Sequence, residues 1–435
     1  MASLCVSGGR VALGIFVIGA LLVAGRAPVL AARGRGTEGL VASPEAGWPQ
    51  WRGPRRDGVS REKGLLQSWP EGGPRLLWRV EGIGTGWSSP VVSRGRIYIT
   101  GDVGDDLVIQ AFDRNGRRLW QAKNGAAWKG DYPGARACGA LSEGRLYHLN
   151  AHGRLACLDA ATGREVWAVN VLERFGGQNI TWGISECLLV DGRRVLVTPG
   201  GTQALMAALD KRTGETLWRT EPIPGEQAAY TSPILFRWGG RRLVTNCSSR
   251  YGFGVDAETG KLLWKVPVEG RFRSTVSTPV YAGGAVFYTT PDGSDGALYR
   301  LRPQGDGVEA ELAWRVPLDS LTGGVVHVDD RIYFGGYRRT HWWHVVEWQT
   351  GQPLGQLREV IAGAPVYADG RFHCLAQDGT VVLLRPTPEG GLAVAGQFRL
   401  VEAKSRDAWA HPVLVDGRLY LRYHDTLWCY DVKAR

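Results

Sequence analysis

The sequence predicts an all-β fold, an eight-bladed β-propeller of four-stranded antiparallel blades whose ring closes by pairing the N- and C-terminal strands. Three observations predict it. A tryptophan recurs every 42 to 51 residues from Trp78 to Trp314, a hairpin-like opening recurs eight times, and the two ends of the chain each carry part of one blade. A repeat of this length suits one four-stranded sheet, which cannot bury its own apolar face and must stack on its neighbours.

The tryptophans are Trp78, Trp120, Trp167, Trp218, Trp264 and Trp314, and three of them close a nearly identical phrase. These run Cys157-Leu-Asp-Ala-Ala-Thr-Gly-Arg-Glu-Val-Trp167, Ala208-Leu-Asp-Lys-Arg-Thr-Gly-Glu-Thr-Leu-Trp218 and Gly254-Val-Asp-Ala-Glu-Thr-Gly-Lys-Leu-Leu-Trp264. Each reads as strand, tight turn, strand. The aspartate can accept hydrogen bonds from the turn backbone, and the glycine supplies positive φ. The ring that follows is expected to wedge between blades, with the small residue at the start of the phrase leaving room. Degenerate copies run from Ala111 to Trp120 and from Val345 to Gly355.

Upstream of each phrase stands an apolar pair, a turn and a second apolar run, as in Ser89-Pro-Val-Val-Ser-Arg-Gly-Arg-Ile-Tyr98. Such openings fall near residues 89, 138, 186, 232, 278, 324, 364 and 411, which gives eight blades. The strand Arg75-Leu-Leu-Trp-Arg-Val80 has no blade before it, and Cys429-Tyr-Asp431 has no Leu-Trp strand after it. Joining the two completes one blade and removes the open sheet edges. Arg300, Arg302, Leu383 and Arg385 replace repeat residues, so the fifth and seventh blades are expected to be the least regular.

Composition agrees: 61 glycines and 22 prolines are spread among short strand-like runs. Residues 1–32 read as a signal peptide, with Arg10 before an apolar run from Val11 to Gly25 and small residues around Ala31 and Ala32. That run is short for a membrane span. The expectation is therefore a periplasmic or secreted protein, monomeric, with no membrane span after cleavage. Residues 33–74 form an N-terminal extension and 75–435 the propeller.

Loss of Arg10 and Arg26 takes the formal net charge from +10 to +8. The excess arginines sit in hairpin turns, as at Arg193, Arg194, Arg241 and Arg242, which describes a solvated rim and no nucleic-acid surface. Six cysteines follow the signal segment, Cys138, Cys157, Cys187, Cys247, Cys374 and Cys429, without Cys-x-x-Cys spacing. Export permits disulfides, but their connectivity is open. His341 and His344 would face opposite sides of a strand, so no metal site is assigned.

In a propeller the first strand of each blade lines the channel, and the residues at its start ring one mouth. Ser89, Cys138, Glu186, Ser232, Thr278, Gly324, Ala364 and His411 align there. Just before them stand Trp87, Arg136, Trp182, Tyr230, Arg273 and Trp409. The candidate ligand site is Trp87, Arg136, Trp182, Glu186, Tyr230, Arg273 and His411, an aromatic and cationic mouth suited to a planar or anionic ligand. Glu186 departs most from the repeat. No catalytic residue is assigned.

The Asp-x-x-Thr-Gly-x-x-x-Trp phrase in an eight-part array resembles the pyrroloquinoline-quinone (PQQ)-like β-propeller repeat, over roughly residues 75–435. That family includes quinoprotein dehydrogenases and cofactor-free bacterial relatives. The stretch Trp48-Pro-Gln-Trp-Arg-Gly-Pro-Arg-Arg-Asp-Gly-Val-Ser60 resembles a segment that opens secreted members, and is expected to pack across a face of the ring. The resemblance implies one of two functions. One is a non-catalytic binding or scaffold protein of the cell envelope with a protein or glycan partner, similar to the propeller subunit of the β-barrel assembly machine. The other is a dehydrogenase oxidising an alcohol or sugar with PQQ and calcium. Quinoproteins of the family set two adjacent cysteines against the cofactor, and this chain has no Cys-Cys pair. It also lacks their long inter-blade insertions and a convincing Glu, Asn and Asp calcium set. The sequence favours the first reading, with no cofactor expected.

Overall fold

The Asp-x-x-Thr-Gly turn builds the outer hairpin of each regular blade. Asp159 Oδ1 accepts from the N–H of Ala161 and Thr162 and from the Thr162 hydroxyl at 2.9 to 3.1 Å. Asp256 repeats the set with Glu258 and Thr259. Gly163, Gly214 and Gly260 take φ between 75° and 76°. Space demands glycine there as well: a Cβ on Gly260 would stand 2.4 Å from the Trp218 ring, and one on Gly163 2.5 Å from the Trp120 ring. Each of these tryptophans lies on the turn of the next blade and donates its Nε1–H to a carbonyl there, Trp120 to Ala160, Trp167 to Lys211 and Trp218 to Ala257. On its own sheet the ring stands opposite the small residue of its phrase, Ala111, Cys157 and Ala208 respectively.

In the computed structural model, which describes residues 37–434 except 269, 293–294, 321–323 and the side chain of Arg339, these units form an eight-bladed β-propeller. Each blade is a four-stranded antiparallel sheet. The expected signal segment lies outside the described residues. The inner strands are Val91–Ser93, Ala140–Ser142, Leu189–Asp191, Ile234–Trp238, Val280–Ala282, Val326–Val328, Gly363–Ala368 and Val413–Val415. In the eighth blade the outer strand is Arg75–Val80, with Arg75 opposite Asp431 and Val80 opposite Leu427. The ring is therefore closed by both ends of the chain. The fifth and seventh blades keep four strands and have long outer hairpins, as the first blade also does where Asp106–Asp113 pairs with Arg118–Ala126. Gly296–Gln304 pairs with Gly307–Val316, and Thr380–Pro386 with Leu392–Arg399.

The Trp48–Ser60 stretch does not lie across a face; with its flanks it threads the channel and reaches all eight blades. Gly39–Leu40 adds a strand to the channel side of Ile234–Trp238. Trp48 exchanges backbone hydrogen bonds with Val92, and the Pro49 carbonyl accepts from Leu141. Trp51 donates to Thr278 Oγ1 at 3.0 Å, Arg52 to the Val325 carbonyl, and Ser60 pairs with Tyr367. Glu62 accepts from the N–H of Asp416 and Gly417 in the eighth blade. Arg56, 2% exposed, donates to the carbonyls of Pro233, Leu188 and Cys187 at 2.5 to 2.9 Å. A channel-facing row of strands leaves carbonyls that need donors, and the two arginines supply them. Gly53 takes φ of 87° under the Trp48 ring, 2.9 Å from where its Cβ would be, so the segment folds back on itself inside the ring.

Candidate functional site

The plug leaves a blind cup at the mouth from which the inner strands start. Its volume is about 330 Å³, and Trp51 at the tip of the plug is one of its lining residues. Trp87 and Trp409 pack with ring centroids 5.5 Å apart, Tyr132 sits 5.3 Å from Trp409 and edge-on at 6.4 Å to Trp182, and Trp182 lies 5.6 Å from Tyr230. These rings form one continuous wall running from the eighth blade to the fourth. Ser185, Ser232, Ser274 and Thr278 add hydroxyls to the lining, and Val276 and Pro291 add apolar surface. At the rim stand Phe272 and Tyr337, and Arg338 pairs with Asp292 at 3.0 Å.

Arg136 brings a charge to the aromatic wall. Its guanidinium packs over Trp87 at 5.7 Å and Trp128 at 5.3 Å, and donates to the carbonyls of Gly134, Asp131 and Tyr132. Burial lowers its pKa to about 10, with Asp102 working in the opposite direction, so it stays cationic at neutral pH. Burial also raises the Tyr230 phenol, which accepts from the Trp182 N–H at 3.2 Å. Arrangements of this kind hold flat molecules by ring contact and orient them by one charge.

Of the residues singled out from sequence, Trp87, Arg136, Trp182 and Tyr230 meet in the cup. His411 lies behind it, 4% exposed, with its ring 4.3 Å from Trp51. Arg273 is exposed, with φ of 53°, and its neighbours Phe272 and Ser274 line the cup in its place. Glu186 is buried inside the third blade, where its carboxylate accepts from the Thr198 N–H at 2.7 Å and the Thr198 hydroxyl at 3.2 Å. Burial pushes its pKa up to about 8 against the pull of those hydrogen bonds and of Arg56.

The reason is a register of one residue. The His411 N–H donates to Ser89 Oγ, Cys187 N–H to Ser232 Oγ, and Cys138 N–H to Cys187 Sγ, so the third-blade member of this ring is Cys187. A shift of one turns a strand side chain to the other face. Tyr132, Tyr337 and Arg338 come from the loops between Lys123 and Arg136 and between Tyr337 and Trp343, which lie outside the repeat phrase. Trp51 had no such signal, because nothing in the repeat says what enters the channel. His341 and His344, outside the cup, engage the carbonyls of Arg338 and Thr340.

The family described as "Outer membrane protein assembly factor BamB" matches residues 105–347. A quinohemoprotein alcohol dehydrogenase of Comamonas testosteroni is 31% identical over 166 residues, 34% of this chain and 23% of that protein. Quinoprotein alcohol dehydrogenase PedH of Pseudomonas putida is 23% identical over 285 residues, covering 63% of this chain and 42% of its own. The matched stretch is thus well under half the length of these curated relatives. The solved BamB from Moraxella catarrhalis superposes with a TM-score of 0.58 at 15% identity, over 83% of this chain and 98% of that one. For the solved quinohemoprotein alcohol dehydrogenase from Comamonas testosteroni the TM-score is 0.60 at 15% identity, over 89% and 81%. The fold is common to both kinds of protein, and the match over residues 105–347 makes this chain a member of the PQQ-like β-propeller repeat family.

Proposed function

We propose that this protein is an exported, non-catalytic binding propeller of the cell envelope, and that its cup holds a flat, anionic small molecule. The observation that carries the reading is the aromatic wall with Arg136 packed into it, above a floor that closes the channel. Rings from several blades converge on a concavity of drug-like size, and the charge in that wall is positive. Sugar sites need several amides or carboxylates to reach hydroxyls, and among the described lining residues Asp292 is the single one, already paired with Arg338. Export rests on the reading of residues 1–32 as a signal peptide.

The quinone-dependent relatives give a second reading, a PQQ- and calcium-dependent dehydrogenase, and the residues can be tested for fit. Calcium takes six to eight oxygens, with carboxylates prominent among them. The cup offers Asp292, held by Arg338, together with serine and threonine hydroxyls, while Glu186 is turned into its blade. This donor set does not fit calcium. The aromatic wall and Arg136 suit a flat polyanion such as the quinone as a simple ligand.

Calorimetric titration with PQQ, with and without calcium, separates these readings. Saturable binding that is independent of calcium and weakened at least about tenfold in Trp87→Ala supports the binding propeller. Calcium-dependent binding with dye reduction by alcohols would establish the dehydrogenase. No heat from PQQ or from simple aromatic carboxylates would overturn the small-molecule reading and leave a scaffold for a protein partner.

A further inference from the structure

The ring at the cup mouth passes hydrogen bonds from blade to blade, from the N–H of one blade to the side chain of the next. Hydroxyls accept in two of these links, Ser89 from His411 and Ser232 from Cys187, each at 2.9 Å. Between them two successive positions carry thiols. The Cys138 N–H donates to Cys187 Sγ at 3.3 Å, which sets the two residues side by side in the ring. Chain separation hides this pair, since its members stand 49 positions apart. Only the closing of the ring places them side by side.

Both members of the pair are buried, but Cys187, 4% exposed, is among the residues that line the cup, whereas Cys138, 1% exposed, is absent from that lining. They differ electrically too. Burial disfavours the Cys187 thiolate, but hydrogen bonds from Cys138 and the positive charge of Arg56, which also donates to the Cys187 carbonyl at 2.6 Å, outweigh it and bring the pKa below the ordinary thiol value. Burial holds the Cys138 thiol well above it. Burial also raises Cys157, Cys247, Cys374 and Cys429, none of which lines the cup. Reactive cysteines are those with access and a cationic neighbour, and buried ones without either are inert.

We propose that Cys187 and Cys138 form a thiol–disulfide exchange couple in the cup wall, with Cys187 as the attacking thiol, Cys138 as the resolving thiol and small organic disulfides as substrate. The Cys187 thiolate attacks one sulfur of a disulfide RSSR, forming a mixed disulfide and expelling RS⁻. The Cys138 thiol then loses its proton to the expelled thiolate and attacks the Cys187 sulfur, forming the Cys138–Cys187 disulfide and expelling the second RS⁻, which takes up the proton that Cys187 gave up on ionising. Two protein thiols are oxidised and one disulfide is reduced to two thiols, so atoms and electrons balance. The product links the second and third blades at the cup.

The test uses the reduced, folded full chain and 2-hydroxyethyl disulfide, followed by alkylation, digestion and mass spectrometry. The wild type is expected to yield a peptide linking Cys138 to Cys187, with two thiols released per chain. Cys138→Ser is expected to stop at a mixed disulfide on Cys187, with one thiol released. Cys187→Ser is expected to slow thiol release at least about tenfold. Both variants place at the ring the hydroxyl that other blades carry there, so unchanged circular dichroism is expected to accompany each result. Absence of the linked peptide from natively folded wild type, or a Cys187→Ser variant that reacts as fast as the wild type, would overturn the proposal.

Discussion

The plug and the cup above it lie within one ring, yet they are built in opposite ways. In the plug, buried charge meets backbone carbonyls: Arg56 places its donors on carbonyls of two blades, and Arg52 reaches the Asp57 and Val325 carbonyls. In the cup, rings pack on one another around a cavity of about 330 Å³, with the Arg136 guanidinium over Trp87 and Trp128. Buried charge set on carbonyls holds a structure together, whereas an aromatic concavity beside a cation suits a ligand. The plug serves the fold, and on the proposed reading the cup serves function.

The sharpest break of this comparison is Arg56→Met, which keeps much of the volume and removes every donor. It strands the Cys187, Leu188 and Pro233 carbonyls in the interior, at a cost of about 3–5 kcal/mol in unfolding free energy. Chemical denaturation of wild type and variant measures it. A loss below 1 kcal/mol would mean that water serves those carbonyls and that the plug is not what braces the ring.

Glu186 stands between plug and cup, and its pH dependence tests which of them it belongs to. Its carboxyl pKa is raised to about 8 in the fold by burial, against 4.5 for a free glutamate. The folded state therefore holds the proton over a range in which the unfolded state has lost it. Stability contributed by this group is full below pH 4.5, falls by up to about 1.4 kcal/mol per pH unit as pH rises toward 8, and is lost above that. Glu186→Gln removes this slope, so the difference in unfolding free energy between variant and wild type widens from pH 5 to pH 9. A constant difference would put the carboxylate in contact with solvent, at the cup, where the repeat alignment first set it.

How much of this was legible follows the same division. The blade walls were readable because the repeat writes the same physics many times: an aspartate for the turn amides, a glycine under the neighbouring tryptophan, a small residue opposite that ring. Trp87, Arg136, Trp182 and Tyr230 were found by position, since every blade brings its strand start to the mouth. Glu186 was misplaced by one residue, and on a strand that is the difference between cup and core. Trp51, Arg52 and Arg56 carried no repeat signal at all. Their place depends on a single copy of an irregular segment, whose partners are backbone carbonyls that leave no trace in side-chain patterns. The Cys138–Cys187 neighbourhood was hidden for a related reason, because it exists between blades and not within one.

The smallest effect belongs to the same segment where it leaves the channel. Lys63 pairs with Asp369 at 3.4 Å, but its side chain is 79% exposed, and Asp369 also accepts from the Leu65 N–H at 2.9 Å. Those hydrogen bonds, the Leu65 one first, hold the Asp369 carboxyl below its usual range, with Lys63 adding to them. Lys63→Ala is therefore expected to change stability by no more than about 0.5 kcal/mol, screened further by salt. Asp369→Ala removes the acceptor of a backbone amide as well, and exceeds it by about 1 kcal/mol. Denaturation of the two variants side by side measures the ordering. If Lys63→Ala proves the costlier, the segment is held at its exit by charge, and the contrast between a plug fastened through backbone groups and an aromatic cup loses its basis.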